Sequence, residues 1–216
     1  AQVVMSEADW DLYEATSRDE VKATRDIVAT DGMELRLGDH VVRTYLTPGH
    51  TLGTMATVLT VHDDGEEHLA VVHGGTSFNF RDAPDDPRDT RLRMYAESAS
   101  RMREIVLGGG IDVLLSNHTG FDNSTLKMPE LEERREGDPH PYVIGTESVT
   151  RFLTVAEECA IATRLAERPR APLGPLAREE LVERHRERVE VGARPGPGGP
   201  QTRLQRRRRC GRRTHG

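Results

Sequence analysis

Apolar and polar residues alternate along the first half of the chain in a pattern that predicts two β-hairpins. In the first, residues 33–37 and 41–46 flank a Gly-Asp pair, and in the second, residues 54–62 and 68–72 flank an Asp-Asp-Gly sequence. A period of two places alternate side chains on opposite faces of a sheet, and Gly and Asp favour tight turns between antiparallel strands. Before the hairpins, residues 2–5 predict a short strand. Ser6 is a typical N-cap for a helix over residues 7–14.

Helical periodicity replaces alternation in the second half of the chain. Residues 90–107 predict a long helix that ends at three glycines, because apolar residues recur there at positions 92, 95, 96, 99, 102, 105 and 106. A short apolar strand, 111–116, follows, and then a short helix near 128–135. Thr146 is expected to cap a third helix, 147–167, with an apolar stripe at positions 149, 152, 153, 156 and 160. Hairpins followed by helix–strand–helix predict an α/β (α+β) fold.

The character of the chain changes after residue 167. We assign residues 1–167 to one domain and residues 168–216 to an Arg/Pro/Gly-rich tail, which has too few apolar residues to offset the entropy of ordering and is expected to be disordered. Within the tail, residues 178–191 have the pattern of a charged helix. Residues 1–163 carry a net charge of −15, whereas residues 164–216 carry +9. Such asymmetry indicates two segments with different origins or different functions.

Three explanations of the tail stay open. It is a natural disordered extension, the product of GC-rich DNA translated in a shifted frame, or a segment that binds nucleic acid or another polyanion. The last explanation depends on the arginines at positions 206–209, 212 and 213. No aromatic residue lies among them to stack on bases, which weakens this explanation.

Composition excludes several classes of protein. There is no run of about 18 apolar residues that would span a membrane, and the first residues are not those of a signal peptide. The two cysteines, Cys159 and Cys210, are too few for a Cys-based zinc site and are not expected to form a disulfide. The default location is therefore the cytoplasm.

A histidine follows the second strand of the first hairpin in a turn with a distinctive sequence, Thr47-Pro48-Gly49-His50-Thr51. Pro48 fixes φ near its preferred value and Gly49 permits positive φ, so the chain reverses direction just before the imidazole. A histidine held at the end of a strand suits metal coordination, since ligands must be positioned before the metal arrives. The alternative is an ordinary Pro-Gly turn with a surface histidine.

A second strand, 111–116, ends in the same way, in the sequence Ser116-Asn117-His118. Between the two histidines, strand 68–72 stops at His73-Gly74-Gly75-Thr76. The order and the sequences of these three segments resemble those of the metallo-β-lactamase-fold hydrolase superfamily, and the resemblance extends over about residues 1–165. In that superfamily a Thr-Pro-Gly-His-Thr turn supplies one zinc ligand, a Gly-Asp-Thr loop a bridging carboxylate, and a strand-end histidine the last ligand.

The resemblance implies an αββα sandwich, of which residues 1–167 form the C-terminal part and in which His50 and His118 are metal ligands. The chain departs from the family in two places. The His-x-His-x-Asp-His cluster that binds most of the metal is absent, so we expect the sequence to be N-terminally incomplete. Gly75 stands where the bridging acid is expected, so the complete protein would hold one zinc ion, or a second one bound in an unusual way. His73 could compensate only if the strand stays regular there.

Two functional hypotheses follow, and they leave open whether the chain is an enzyme. In the first, it is part of a zinc-dependent hydrolase whose metal-activated water attacks an ester, amide, thioester or related bond. Two histidines bind zinc weakly, because catalytic sites use three protein ligands, so this chain alone should bind little or no zinc and be inactive. In the second, it is a non-catalytic remnant or binding module with a polyanion-binding tail. His140 is expected to pack within its loop, His68 to be solvated near its hairpin turn, and Asp122 or Asn123 to hydrogen-bond near the site.

Overall fold

A computed structural model describes residues 1–18, 20–80 and 86–167. The tail predicted at 168–216 lies outside the described residues. In chain order the described elements are β1 (Val4–Ser6), α1 (Glu7–Thr16), β2 (Ile27–Ala29), β3 (Glu34–Leu37), β4 (His40–Leu46), β5 (Met55–Asp63), β6 (Glu66–Val72), α2 (Arg88–Gly109), β7 (Val113–Leu115), α3 (Ser124–Glu133) and α4 (Thr146–Glu167).

Strands β3 to β7 form a five-stranded sheet in sequence order, and this confirms both predicted hairpins. The first hairpin closes with Leu37 paired to His40, and the second with Asp63 paired to Glu66. Neighbouring strands are antiparallel except β6 and β7, which run parallel because the long helix α2 connects them. The sheet is therefore mixed, with its one parallel pair at the β7 edge.

Helices α2 and α4 pack against one face of this sheet and against each other. The apolar stripes predicted for both helices supply the core, together with alternate residues of the strands. The buried cluster consists of Ala56, Val71, Met102, Val106, Ile111, Leu114, Val149 and Leu153. Burying each of the larger aliphatic side chains contributes about 1.5–3 kcal/mol. The alternating apolar residues of the strands and the apolar stripes of the helices thus pack into one hydrophobic core.

A second, two-stranded sheet lies at the start of the chain, and half of it was not predicted. β1 pairs in parallel with β2, with Val4 opposite Ile27. Ser6 caps α1 by accepting a hydrogen bond from the Asp9 amide, as predicted. Trp10 of α1 is fully buried, and its indole N–H donates to the Ile27 carbonyl at 2.9 Å. None of the described helices is both long enough and apolar enough to cross a membrane.

Candidate functional site

Three loops meet at one edge of the five-stranded sheet because of the strand register. Leu46, at the end of β4, pairs with Met55 at the start of β5. Val72, at the end of β6, pairs with Thr57 of β5 and with Leu115 at the end of β7. The loops 47–54, 73–80 and 116–123 therefore begin at the same edge. These loops carry His50, Gly75 and His118, so the sheet brings together the three segments that the sequence singled out.

Within the described residues, His50 has one ring nitrogen that is hydrogen-bonded and one without a hydrogen-bond partner. Its Nδ1 lies 2.9 Å from the carbonyl oxygen of Ser77 in the neighbouring loop. A carbonyl oxygen only accepts hydrogen bonds, so Nδ1 carries the proton and donates. In the neutral ring this leaves the lone pair on Nε2, the arrangement of a metal-ligating histidine oriented by a main-chain carbonyl.

The turn that carries His50 is held by its own short hydrogen bonds. The Thr47 amide donates to the Thr54 carbonyl at 2.7 Å, and the Thr51 amide donates to Thr54 Oγ1 at 2.7 Å. Gly49 has φ +149°, and a Cβ there would lie 2.6 Å from Cβ of Tyr95 on α2. Only glycine therefore allows the turn to lie so close to the helix, which explains the Pro-Gly sequence.

Gly75 also lies where a side chain cannot be placed. Its φ is +66°, and an added Cβ would lie 2.4 Å from Cβ of His50 and 2.9 Å from Cγ2 of Thr54. The loop therefore passes too close to the histidine turn to carry a carboxylate at this position. Gly75 is part of a loop whose backbone packs on His50 and whose Ser77 carbonyl orients the ring.

His73 does not face this loop cluster. It is 2% exposed, and its ring contacts Tyr95 and Phe152 edge-on, at centroid distances of 6.2 and 6.1 Å. Within the described residues neither ring nitrogen has a hydrogen-bond partner, and burial lowers the pKa of His73 to about 4. His73 is a neutral residue of the helix-facing core, so it does not replace the missing acid.

His118 lies in the exposed loop after β7, and hydrogen bonds hold the start of this loop in place. The His118 amide donates to Ser116 Oγ at 3.2 Å. Buried Asp122 accepts hydrogen bonds from the amides of Ser116 and Ser124, both at 2.9 Å. Burial raises the pKa of the Asp122 carboxyl, but these bonds outweigh it and hold the pKa below its usual value. Asp122 therefore supports the loop and not the imidazole itself.

The other histidines belong to different surroundings. His140 Nδ1 accepts from the Tyr142 amide at 3.2 Å, in agreement with the loop-packing role predicted for it. His68 was expected to be solvated, but its Nδ1 lies 2.6 Å from Asp112 Oδ2 and its side chain is only 15% exposed. This expectation was wrong because the pair joins β6 to the segment before β7, which are distant in sequence.

A cavity of about 520 Å³ lies beside the site, but neither His50 nor His118 lines it. Its walls include Val61, Val72, Val113 and Leu115, whereas the adjacent residues Val71 and Leu114 belong to the helix-facing core. Because side chains alternate between faces, the cavity lies on the opposite face from α2 and α4. The cavity therefore does not contain the two predicted ligands, although Ser116 and Asn117, which precede His118, line it.

No group of three or more His, Cys, Asp or Glu side chains in the described parts of the chain is arranged to hold a metal ion. The assignment of His50 and His118 as ligands stays a prediction. Ser77 was not predicted, because it acts through a main-chain atom and leaves no signal in the sequence. Arg91, whose guanidinium donates to the carbonyls of Gly49 and His50, was not predicted either, although a charged residue one turn before Tyr95 on an apolar helical face is a recognisable anomaly.

Comparisons with known proteins give structural matches only. The sequence matches no protein-family model, and no curated protein matches it. The subclass B3 metallo-β-lactamase BJP-1 of Bradyrhizobium japonicum has 23% identity and a TM-score of 0.61, over 77% of this chain and 65% of that one. Native FEZ-1 from Legionella gormanii has 19% identity and a TM-score of 0.60, over 76% and 64%. GOB-18 from Elizabethkingia meningoseptica has 16% identity and a TM-score of 0.56, over 75% and 62%.

The chain thus spans 65% or less of the length of these three structures. The chain has the fold of the metallo-β-lactamase superfamily.

Proposed function

We propose that this chain is part of a zinc-dependent hydrolase and that His50 and His118 are two of the ligands of its metal. The observation that carries the proposal is the hydrogen bond from His50 Nδ1 to the Ser77 carbonyl, which leaves Nε2 free as a donor atom. The loop that bears His118 starts from the same sheet edge. A plain surface histidine would need neither the oriented ring nor the close-packed glycine loop beside it.

The residues present fit part of a zinc site. Neutral imidazole is a preferred zinc ligand, but a catalytic site has three protein ligands. At least one ligand must therefore come from outside the described residues. Bound zinc would supply a water that ionises near neutral pH and would polarise the bond under attack. The role of this chain's own residues is to hold His50 in one tautomer and to fix the base of the His118 loop through Asp122.

The substrate class is a coarser proposal, because function in this fold lies in the loops. The structural neighbours are named as metallo-β-lactamases. A β-lactam is thus the first small-molecule substrate to test, and esters, other amides and thioesters come next. A cytoplasmic site of action stays an expectation from the sequence.

Zinc binding tests the proposal directly. Calorimetric titration of the whole chain with Zn²⁺ should show weak binding that falls at least about tenfold in both His50→Ala and His118→Ala, since each removes a ligand. His140→Ala is the matched control, because His140 lies in a loop of its own and should leave the affinity unchanged. Equal affinity of all three variants and the parent would overturn the assignment.

The charge division favours a second candidate, a non-catalytic module that binds a polyanion through its tail. Residues 164–216 carry a net charge of +9, and clustered arginines bind phosphate or sulfate groups in a salt-dependent way. This candidate predicts retention on heparin that is lost when residues 192–216 are deleted. Unchanged retention after the deletion would exclude the tail as the binding segment.

A further inference from the structure

We propose that Arg91 of α2 is a positioning residue for His50. Its guanidinium holds the main-chain carbonyls of the histidine turn and thereby keeps the His50 ring on the Ser77 carbonyl, with Nε2 as the free nitrogen. The significance of this for metal binding rests on the proposed function. The positioning itself concerns only this chain's own residues.

Arg91 makes a fork of hydrogen bonds with the turn. Its Nε donates to the Gly49 carbonyl at 2.7 Å, and its Nη2 donates to the His50 carbonyl. On the other side, Nη1 donates to Asp86 Oδ2 at 2.9 Å. A planar guanidinium can satisfy two carbonyls and a carboxylate together, which an ammonium group on a flexible stem cannot do with the same geometry.

The burial of this charge calls for an explanation beyond packing. Arg91 is 6% exposed, and a buried cation is costly unless it is well paired. Asp86 has a side chain that is 38% exposed, so its attraction is weakened by solvent. Two of the three groups that accept hydrogen bonds from Arg91 are thus neutral carbonyls of the turn that carries His50. An apolar residue in place of Arg91 would avoid the cost of desolvating a charge. It would also leave the carbonyls of Gly49 and His50 without these hydrogen-bond donors.

Neighbouring residues of α2 extend the same contact. Ser98 Oγ donates to the Pro48 carbonyl at 2.8 Å, and Tyr95 lies against Gly49. Arg91, Tyr95 and Ser98 are all buried and lie on one face of the helix. Three consecutive carbonyls, at positions 48, 49 and 50, therefore accept from one rigid element, which is how a scaffold fixes a site to within a few tenths of an ångström.

The other end of the His50–Ser77 hydrogen bond is held from the same helix. Arg88, one turn before Arg91, donates from Nη1 to the carbonyls of Phe78 and Phe80, at 2.8 and 2.6 Å. The guanidinium carbons of Arg88 and Arg91 also lie 4.9 and 5.5 Å from the centroid of the Phe80 ring. The first turns of α2 thus set both the turn that carries His50 and the loop that carries its acceptor.

The state of the His50 ring is the readout that tests this proposal. Long-range ¹H–¹⁵N spectra of the whole chain, labelled at histidine and recorded where the rings are neutral, distinguish a protonated Nδ1 from a protonated Nε2. In the parent chain His50 should be in the Nδ1–H form. In Arg91→Gln the turn is released, so His50 should shift to a mixture of both tautomers, while His140 in the same sample should not change.

Two further variants distinguish the effect of the forked hydrogen bonds of Arg91 from the effect of positive charge alone. Arg93→Gln removes a guanidinium from the same helix at an exposed position, where Arg93 pairs with Glu97, and should leave the His50 spectrum unchanged. Arg91→Lys keeps the charge beside Asp86 but loses the fork, so it should resemble Arg91→Gln. It is also the variant to examine if Arg91→Gln does not fold. A parent-like His50 spectrum in Arg91→Lys would overturn the proposal.

Zinc titration of the same samples distinguishes this proposal from the proposed function. If both hold, Arg91→Gln should lower zinc affinity by about 10- to 100-fold, the range for residues that orient a ligand. Equal zinc affinity of the parent, His50→Ala and His118→Ala would overturn the metal assignment, whereas the tautomer shift in Arg91→Gln would still support the positioning role. Zinc binding by the parent with an unchanged His50 spectrum in Arg91→Gln would overturn the positioning role alone.

Discussion

A single main-chain contact gives His50 its chemical character. The His50 side chain could be found from sequence because Pro48 and Gly49 mark the turn before it. The Ser77 carbonyl could not, since any residue can supply a main-chain oxygen and only the folded loop brings this one within 2.9 Å. At the scale of residues, the sequence therefore predicts the candidate ligand, whereas its tautomer depends on tertiary structure.

Gly75 offers a test of how tightly the two loops pack. Gly75→Asp would place a carboxylate where the resemblance predicts the bridging acid, but its Cβ would meet His50 Cβ at 2.4 Å. We expect it to lower the free energy of unfolding by about 2 kcal/mol or more, from steric overlap plus positive-φ strain. Gly38→Asp is the matched control, because Gly38 has φ +61° and open space around it. Denaturant unfolding measures both, and equal losses would show that the overlap is relieved without cost.

His73 should make stability depend on pH. Its pKa in the folded chain is about 4, below the ordinary value of 6.5, because burial disfavours the charged ring. The unfolded chain therefore takes up the proton first. The contribution of the neutral ring is complete above pH 6.5 and is lost as the pH falls towards 4, by about 3 kcal/mol in total.

His73→Leu removes this dependence and keeps an apolar side chain in the core. The difference in unfolding free energy between the parent and His73→Leu should change by about 3 kcal/mol between pH 7 and pH 4. A pH-independent difference for His73→Leu would mean that the ring takes up its proton as readily in the folded chain as in the unfolded chain.

Secondary elements were predictable to the extent that their signals are local. Both hairpins and the long helices followed from alternation, helical spacing and turn residues within one stretch of chain. β2 was missed because it has three residues, and its partner β1 lies more than 20 residues earlier. Short parallel strands gain their stability from a distant partner, so the sequence around them carries little signal.

The end of α2 gives a prediction at the scale of the element. Gly110 has φ +65° and closes the helix by donating to the Val106 carbonyl, whereas Gly108 lies within the helix with open space around it. Gly110→Ala should therefore lower the free energy of unfolding by about 1 kcal/mol, because an alanine resists this conformation. Gly108→Ala should raise it by about 0.5–1 kcal/mol, through better helix propensity. Thermal unfolding of the two variants should shift in opposite directions, and a shared direction would contradict this assignment of the helix end.

At the scale of the whole molecule, the fold is better defined than the candidate metal site. The described residues form two sheets with helices, match metallo-β-lactamase structures, and bring three loops to one sheet edge. Yet within those residues no group of three metal-ligating side chains is arranged around an ion. The scaffold was accessible from sequence because hydrophobic patterning determines it, whereas a metal site depends on a full set of ligands from separate segments.

This chain alone is therefore expected not to catalyse hydrolysis. Supplied with excess Zn²⁺, the 216-residue chain should hydrolyse a chromogenic β-lactam no faster than its His50→Ala variant. Two imidazoles leave zinc weakly held, so the fraction of chain that carries an activated water is small. The rate must be compared at several protein concentrations, because hydrolysis by free zinc does not scale with protein whereas enzymatic turnover does. Turnover that rises with protein concentration and disappears in His50→Ala would show that further ligands lie within this chain, outside the residues that the structure describes.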